Sequence, residues 1–328
     1  MKAPLARPPD PIHLLSALCV RALPLSAPGS LTMPARFFPS AKDNCGDCQG
    51  MGYVVRPVRE LSIASICECV PACPRCNSTG RVQVETDGLV RVGRCRCQMM
   101  PDRIRLFNAA NIPARHASSS FMSFDTTADG VMPAFFAAMS WVQDFQPAEE
   151  NQGMVFWGPV GRGKTHLLIA TLRHLIFQHG VPGRFIEFSR LLGELKEGYS
   201  AGRSDSAVLE KLADVPVLCI DELGKGRLSD WELTIIDEVV SRRYNGMGCV
   251  LGTSNYRPGS PTGSPPPNLA KPEFESQTLG DRVGWRVFSR LQQMCTFVQT
   301  RGEDYRRLKG KRLRQAGPRL APVPAERR

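Results

Sequence analysis

Gly158-Pro159-Val160-Gly161-Arg162-Gly163-Lys164-Thr165 decides how this chain is read. The stretch fits G-x-x-x-x-G-K-[ST]. A short apolar strand, Met154–Trp157, precedes it, and a helical pattern, Gly163–His179, follows. Glycines let backbone N–H groups turn inward around phosphate oxygens. The helix running on from His166 directs its positive N-terminal end at the same anion. Lys164 is placed to reach the β- and γ-phosphates, and the Thr165 hydroxyl to hold Mg²⁺. Gly158, Pro159, Val160, Gly161, Arg162, Gly163, Lys164, Thr165 and His166 are therefore the expected nucleotide contacts, with ATP and Mg²⁺ the expected ligands.

A metal-bound triphosphate needs carboxylates nearby. Val215-Pro216-Val217-Leu218-Cys219-Ile220-Asp221-Glu222 is an apolar strand ending in two of them. Adjacent acids at the end of a buried strand are costly unless they have work to do. Asp221 is expected to orient Mg²⁺ through its water, and Glu222 to activate the attacking water. Leu251-Gly252-Thr253-Ser254-Asn255 ends the next strand with polar side chains. One of these can orient the water near the γ-phosphate.

From about Asp125 onward strands and helices alternate. Val131–Phe145 has helical periodicity. Arg184–Phe188 reads as a strand, Ser189–Tyr199 as a helix, Asp230–Tyr244 as an amphipathic helix and Cys249–Thr253 as a strand. Arg257–Lys271 is a Pro/Gly/Ser-rich loop, Arg282–Met294 a helix and Thr296–Thr300 a last strand. This alternation predicts an α/β fold with a parallel sheet covered on both faces.

Together these elements resemble an AAA+ P-loop ATPase of the DnaC/IstB group of helicase loaders and transposition helpers. The resemblance runs from Ile112 to Arg307. It opens with Ile112-Pro113-Ala114-Arg115 and Ser120-Phe121-Met122-Ser123-Phe124, and passes through Arg243-Tyr244. It ends with Gly284-Trp285-Arg286-Val287-Phe288-Ser289-Arg290-Leu291 and Gly302-Glu303-Asp304-Tyr305-Arg306. It implies that Asn255 is the sensor residue and that Arg290 is an arginine finger acting on ATP held by a neighbouring subunit, with Arg286 a weaker second candidate. A homo-oligomer follows from that role. Only 28 residues follow Thr300, too few for a full helical lid.

Eight of the twelve cysteines fall between Cys45 and Cys97. Cys45, Cys48, Cys67 and Cys69 recur as Cys73, Cys76, Cys95 and Cys97, each shifted by 28 residues, and Gly52 recurs as Gly80. Both copies read C-x₂-C-x₁₈-C-x-C. A C-x₂-C turn sets two thiolates for tetrahedral Zn²⁺, and Tyr53–Val58 and Arg81–Val84 are hairpin strands. The simplest reading is two zinc sites, one per copy, in a small β-hairpin domain. Exchange of ligands between copies, disulfides and an iron–sulfur cluster are the alternatives. Cys45-Gly46-Asp47-Cys48-Gln49-Gly50-Met51-Gly52 also resembles the zinc repeat of DnaJ-type cochaperones, but no His-Pro-Asp tripeptide occurs. An ATPase core on the same chain argues for a reducing cytosol and a cytoplasmic protein. Cys219, Cys249 and Cys295 lie in or beside apolar runs and read as core residues.

The domain plan is a disordered, proline-rich segment 1–44, a tandem zinc unit 45–97, a connector 98–125, an AAA+ domain 126–300 and a basic tail 301–328. Whether residues 1–32 belong to the mature protein is open: a signal peptide, a transit peptide and a start at Met33 each fit part of the pattern. The net charge is +11, and residues 301–328 hold ten Lys/Arg against three Asp/Glu. Such a balance favours nucleic acid as partner. No apolar run approaches the ~18 residues of a membrane helix. The expected function is an ATPase that loads or remodels a DNA-bound partner, a replicative helicase or another DNA-processing protein, and that binds single-stranded DNA. The alternatives are a transposition helper, and a zinc adaptor using ATP only as an assembly switch.

Overall fold

Parallel strands buried on both faces need side chains apolar at every position, and the central strands have them. β5 (Gly153–Trp157), β7 (Val217–Leu223) and β8 (Cys249–Ser254) are buried almost throughout. With β6 (Gly183–Glu187) and β9 (Cys295–Gln299) they form one five-stranded parallel sheet in the order β6-β7-β8-β5-β9. The computed structural model describes residues 41–86, 88–147, 149–200, 206–226, 229–259 and 277–307. The segments expected to be disordered (1–40 of 1–44), the centre of the Pro/Gly/Ser-rich loop and the basic tail beyond 307 lie outside the described residues.

From β5 the chain crosses to the edge strand β6, returns strand by strand to β8, and then passes β5 to lay β9 on its other side, so the order reverses beside β5. Ligands in open α/β sheets lie at such a switch point, outside the carboxyl ends of the strands. The order itself is that of an AAA+ P-loop core, as expected. Helices α2 (Met132–Asp144), α3 (Lys164–His174), α4 (Phe188–Ser200), α5 (Ser206–Asp214) and α6 (Asp230–Asn245) cover the sheet. Ser229 and Glu232 make a reciprocal capping box that starts α6. Arg243, from the same helix, is 1% exposed and donates to the carbonyls of Ala213, Val215, Pro216 and Cys249. It ties the start of β7 to the start of β8.

The helix expected over Arg282–Met294 is two helices, α7 (Leu279–Val283) and α8 (Trp285–Met294). They meet at Gly284, whose φ of 82° and ψ of 150° only glycine adopts without strain. The helix after the phosphate loop ends in one wide turn, Leu175–His179, of π type.

Two antiparallel hairpins precede the sheet: β1 (Tyr53–Val58) with β2 (Leu61–Ile66), and β3 (Arg81–Thr86) with β4 (Leu89–Arg94). The stretch 98–125 carries α1 (Met99–Ala109), which buries Met100, Ile104 and Phe107. Tyr53 and Ala64 of the first hairpin belong to the same apolar cluster as Phe107, Leu167, Leu168 and Phe177. No helix of the described residues is long and apolar enough to cross a membrane.

Candidate nucleotide site and cysteine tetrads

The phosphate loop leaves β5 at Gly158 and enters α3 at Lys164. It is braced on several sides. Gly158 N–H donates to the Ser254 carbonyl of β8, and Thr300 N–H donates to the Trp157 carbonyl. Phe124, from the opening segment of the family resemblance, packs on Gly163, where a Cβ would come within 2.7 Å of the ring. Its ring also meets His166 edge-on at 5.3 Å. From the other end of the resemblance, Tyr305 N–H donates to the Gly161 carbonyl at 2.9 Å, and the Asp304 carboxylate lies over Gly161.

Lys164 is buried, and its Nζ donates to the carbonyls of Gly158 and Pro159, both at 2.7 Å. Burial pulls its pKa from the ordinary lysine value to about 8, against the opposing pull of Asp221. Arg162 holds two buried nitrogens, Nε and Nη1, that have no hydrogen-bond partner among the described residues. Buried donors normally find acceptors. An anion seated in the loop would supply them, so these residues fit a bound triphosphate.

The second strand delivers its acids to the same place. Asp221 is 1% exposed, and its Oδ1 accepts from Thr165 Oγ1 at 2.9 Å and from Thr253 Oγ1 at 2.6 Å. Burial raises the Asp221 pKa, and the two hydroxyls oppose that shift. Between Ile220 and Leu223 the pairing of β7 with β8 slips. Asp221 and Glu222 occupy this bulge, with Glu222 at φ 60° and its N–H donating to Thr253 Oγ1 at 2.9 Å. Bulges of this kind re-aim a side chain. The Glu222 carboxylate pairs with Lys225, whose Nζ also lies 3.8 Å from Glu187. Thr165 and Asp221 together offer the oxygen ligands that Mg²⁺ prefers.

Asn255 lies just past β8 and is exposed, at the same end of the sheet. Arg290 is not projected freely from α8. Its Nη1 donates to Asp237 at 2.8 Å and to Ser241 at 2.5 Å, and its guanidinium lies 5.8 Å from the Tyr244 ring centroid. Arg286 is the more open of the pair, its side chain 75% exposed and 3.9 Å from Asp237. The sequence marks Thr253 only as part of the polar end of its strand, and does not single out Lys225 or Arg282. Arg282 donates to the carbonyls of Gly224 at 2.9 Å and Gly226 at 2.6 Å, so α7 grips the loop that follows Glu222.

The model of the IstB-like ATP binding protein family matches residues 98–314. This chain belongs to that family. A member of the family, it is therefore a nucleotide-binding protein built on the AAA+ P-loop fold. It is 30% identical over 140 residues to the replicative helicase loader DnaC of Escherichia coli K12, a match covering 42% of this chain and 56% of that protein. It is 29% identical over 185 residues to the phage-like element PBSX protein XkdC of Bacillus subtilis, covering 52% of this chain and 67% of that one. The chain thus spans little more than half the length of the DnaC relatives it matches. A crystal structure of a DnaC helicase loader aligns with 57% of this chain and 99% of its own, at 29% identity and a TM-score of 0.48.

The eight N-terminal cysteines gather as two tetrads, Cys45, Cys48, Cys67 and Cys69, and Cys73, Cys76, Cys95 and Cys97. The sulfurs group within each copy of the repeat rather than across copies, so each copy offers four ligand atoms of its own. In each tetrad all four sulfurs lie within 4.8 Å of one another. The sulfurs in hydrogen-bond contact are Cys45–Cys67 at 3.7 Å, Cys48–Cys69 at 3.4 Å, Cys73–Cys95 at 3.8 Å and Cys76–Cys97 at 3.4 Å. Zinc–sulfur bonds of about 2.3 Å in a tetrahedron put sulfurs about 3.8 Å apart. The spacing fits zinc, and it is far longer than the ~2.05 Å of a disulfide.

Proposed function

We propose that the chain is an ATPase that loads or remodels a DNA-bound partner, a replicative helicase, using hydrolysis to release it. The observation that carries this reading is the convergence of Thr165, Asp221, Glu222 and Thr253 at the carboxyl ends of the sheet, in a family member with DnaC relatives. Lys164 and Arg162 bind the phosphates. Thr165 and Asp221 hold Mg²⁺, which would neutralise charge on the phosphate oxygens when bound. Glu222, released from Lys225, takes the proton of the attacking water, and Asn255 orients that water. Arg290 exchanges its Asp237 partner for phosphate held by the next subunit of a homo-oligomer, so turnover depends on assembly. Each cysteine tetrad holds one zinc, and the zinc unit docks the helicase. Within the basic tail, Arg306 to Arg314 contact the phosphates of single-stranded DNA, an electrostatic term that weakens steeply with salt.

The test is reconstitution: purified chain, a replicative helicase from the same cell, and single-stranded DNA circles, with ATP. Faster helicase loading with the chain present, and ATP hydrolysis that depends on Glu222, are expected. Loading no faster than with helicase alone would overturn the loader reading.

A further inference from the structure

The two cysteine tetrads come from one repeated sequence, yet their hairpins stand in different surroundings. The first hairpin is built into the nucleotide-binding domain. Tyr53, one residue past Gly52, stacks on Phe177 with ring centroids 3.9 Å apart and planes inclined by 13°. Phe177 sits in the π turn that ends the helix begun by Lys164 and Thr165. Arg173, on that helix, lies 5.6 Å from the Tyr53 ring centroid. The second strand of the hairpin joins the chain leading to the phosphate loop. Ser62 N–H donates to the Ile112 carbonyl, Ala114 N–H to the Glu60 carbonyl, and Ser62 Oγ to the Pro113 carbonyl. Asn108 exchanges two hydrogen bonds with the Ala64 backbone.

The 28-residue shift gives the corresponding positions in the second copy. Arg81 stands for Tyr53, Leu89 for Leu61, Val90 for Ser62 and Val92 for Ala64. Ala64 is 3% exposed and Ser62 1%, whereas Val92 is 72% and Val90 66% exposed. The same strand that docks in the first copy is bare in the second.

We propose that the two tetrads do different work: the first is a structural clamp on the helix of the phosphate loop, acting through Tyr53 and Phe177, and the second supports a separate arm on which nucleotide binding does not depend. This rests on the reading of both tetrads as zinc sites. Zinc fixes the Cys45–Cys48 turn and the Cys67–Cys69 strand end around Tyr53. Tyr53 fixes the far end of α3, and through it the position of Lys164 and Thr165. Loss of the first zinc loosens ATP binding, and loss of the second leaves it alone.

The experiment uses the full chain. Cys45→Ser with Cys48→Ser, Cys73→Ser with Cys76→Ser, and Tyr53→Leu are compared with the unaltered protein for bound zinc, for ATP affinity with a fluorescent analogue, and for thermal unfolding. Each double variant is expected to lose one zinc. The first should bind ATP about fivefold or more weakly and unfold at lower temperature. The second should bind within about twofold of the unaltered protein. Tyr53→Leu should keep both zincs and still lose affinity, which reads the clamp even where the first double variant fails to fold. Equal losses in the two double variants, or unchanged affinity in Tyr53→Leu, would overturn the proposal. An unaltered chain that binds ATP but carries no metal would instead remove the zinc reading, while Tyr53→Leu would still report on the stacking contact.

Discussion

Thr165 Oγ1 donates to Asp221 Oδ1 at 2.9 Å, joining the first turn of α3 to the end of β7 across 56 residues of chain. Thr253 reaches the same oxygen from β8. Two strand ends and the start of a helix thus close on one carboxylate oxygen that burial makes costly to ionise. A divalent cation bound there would reverse that cost. Asp221→Asn is expected to keep the hydrogen bonds and lose Mg²⁺-dependent nucleotide binding, read by titration of the nucleotide with and without Mg²⁺.

Lys164 gives the site a pH dependence whose sign is fixed. Burial brings its pKa in the free protein down to about 8. Phosphate binding needs the ammonium form and raises the pKa again. ATP affinity should therefore be level below about pH 8 and fall by up to about tenfold per unit above it. Titrations across that range check this. An affinity that rises or stays flat through alkaline pH would contradict it.

Arg290 is held by Asp237, Ser241 and Tyr244 within its own chain. As a finger in trans it must leave them. Arg290→Ala should cut turnover by about 10³-fold or more while ATP still binds. Normal turnover in that variant would show that Arg290 is a local ion pair only.

Arg282 bridges α7 to the loop after Glu222 through two carbonyls. It is a positioning residue, acting on Glu222 through the backbone of that loop. Arg282→Ala should lower kcat by about tenfold to a hundredfold with KM for ATP little changed. Loss of ATP binding in step with turnover would point to general unfolding instead.

The site was legible in the sequence where its chemistry is local. The phosphate loop and the Asp221-Glu222 pair are short patterns at strand ends, and both tetrads follow from a repeat that can be counted. Helix α1 is faint in the sequence although Met100, Ile104 and Phe107 recur at helical spacing, because Pro101 and the charges of Asp102, Arg103 and Arg105 mask a weak apolar stripe. Gly284 splits what periodicity read as one helix, a backbone event that apolar spacing does not record. Thr253 and Arg282 act through partners far along the chain or through carbonyls, which residue type alone does not reveal, and Lys225 is set against Glu222 by the turn that follows the strand. The docking of the first hairpin was hidden for the same reason: Tyr53 reads as a strand residue until Phe177, 124 positions on, is placed against it.

In the proposed function, ATP turnover at this site drives loading of a helicase, and everything else serves that coupling. It is tested most directly by comparing the unaltered chain with Glu222→Gln in the reconstituted system, following ATP hydrolysis and helicase loaded on single-stranded DNA together. The account predicts that Glu222→Gln binds ATP and the helicase, hydrolyses at least about 10²-fold more slowly, and leaves the helicase trapped with the loader. Helicase loaded and released at the normal rate by Glu222→Gln would contradict it.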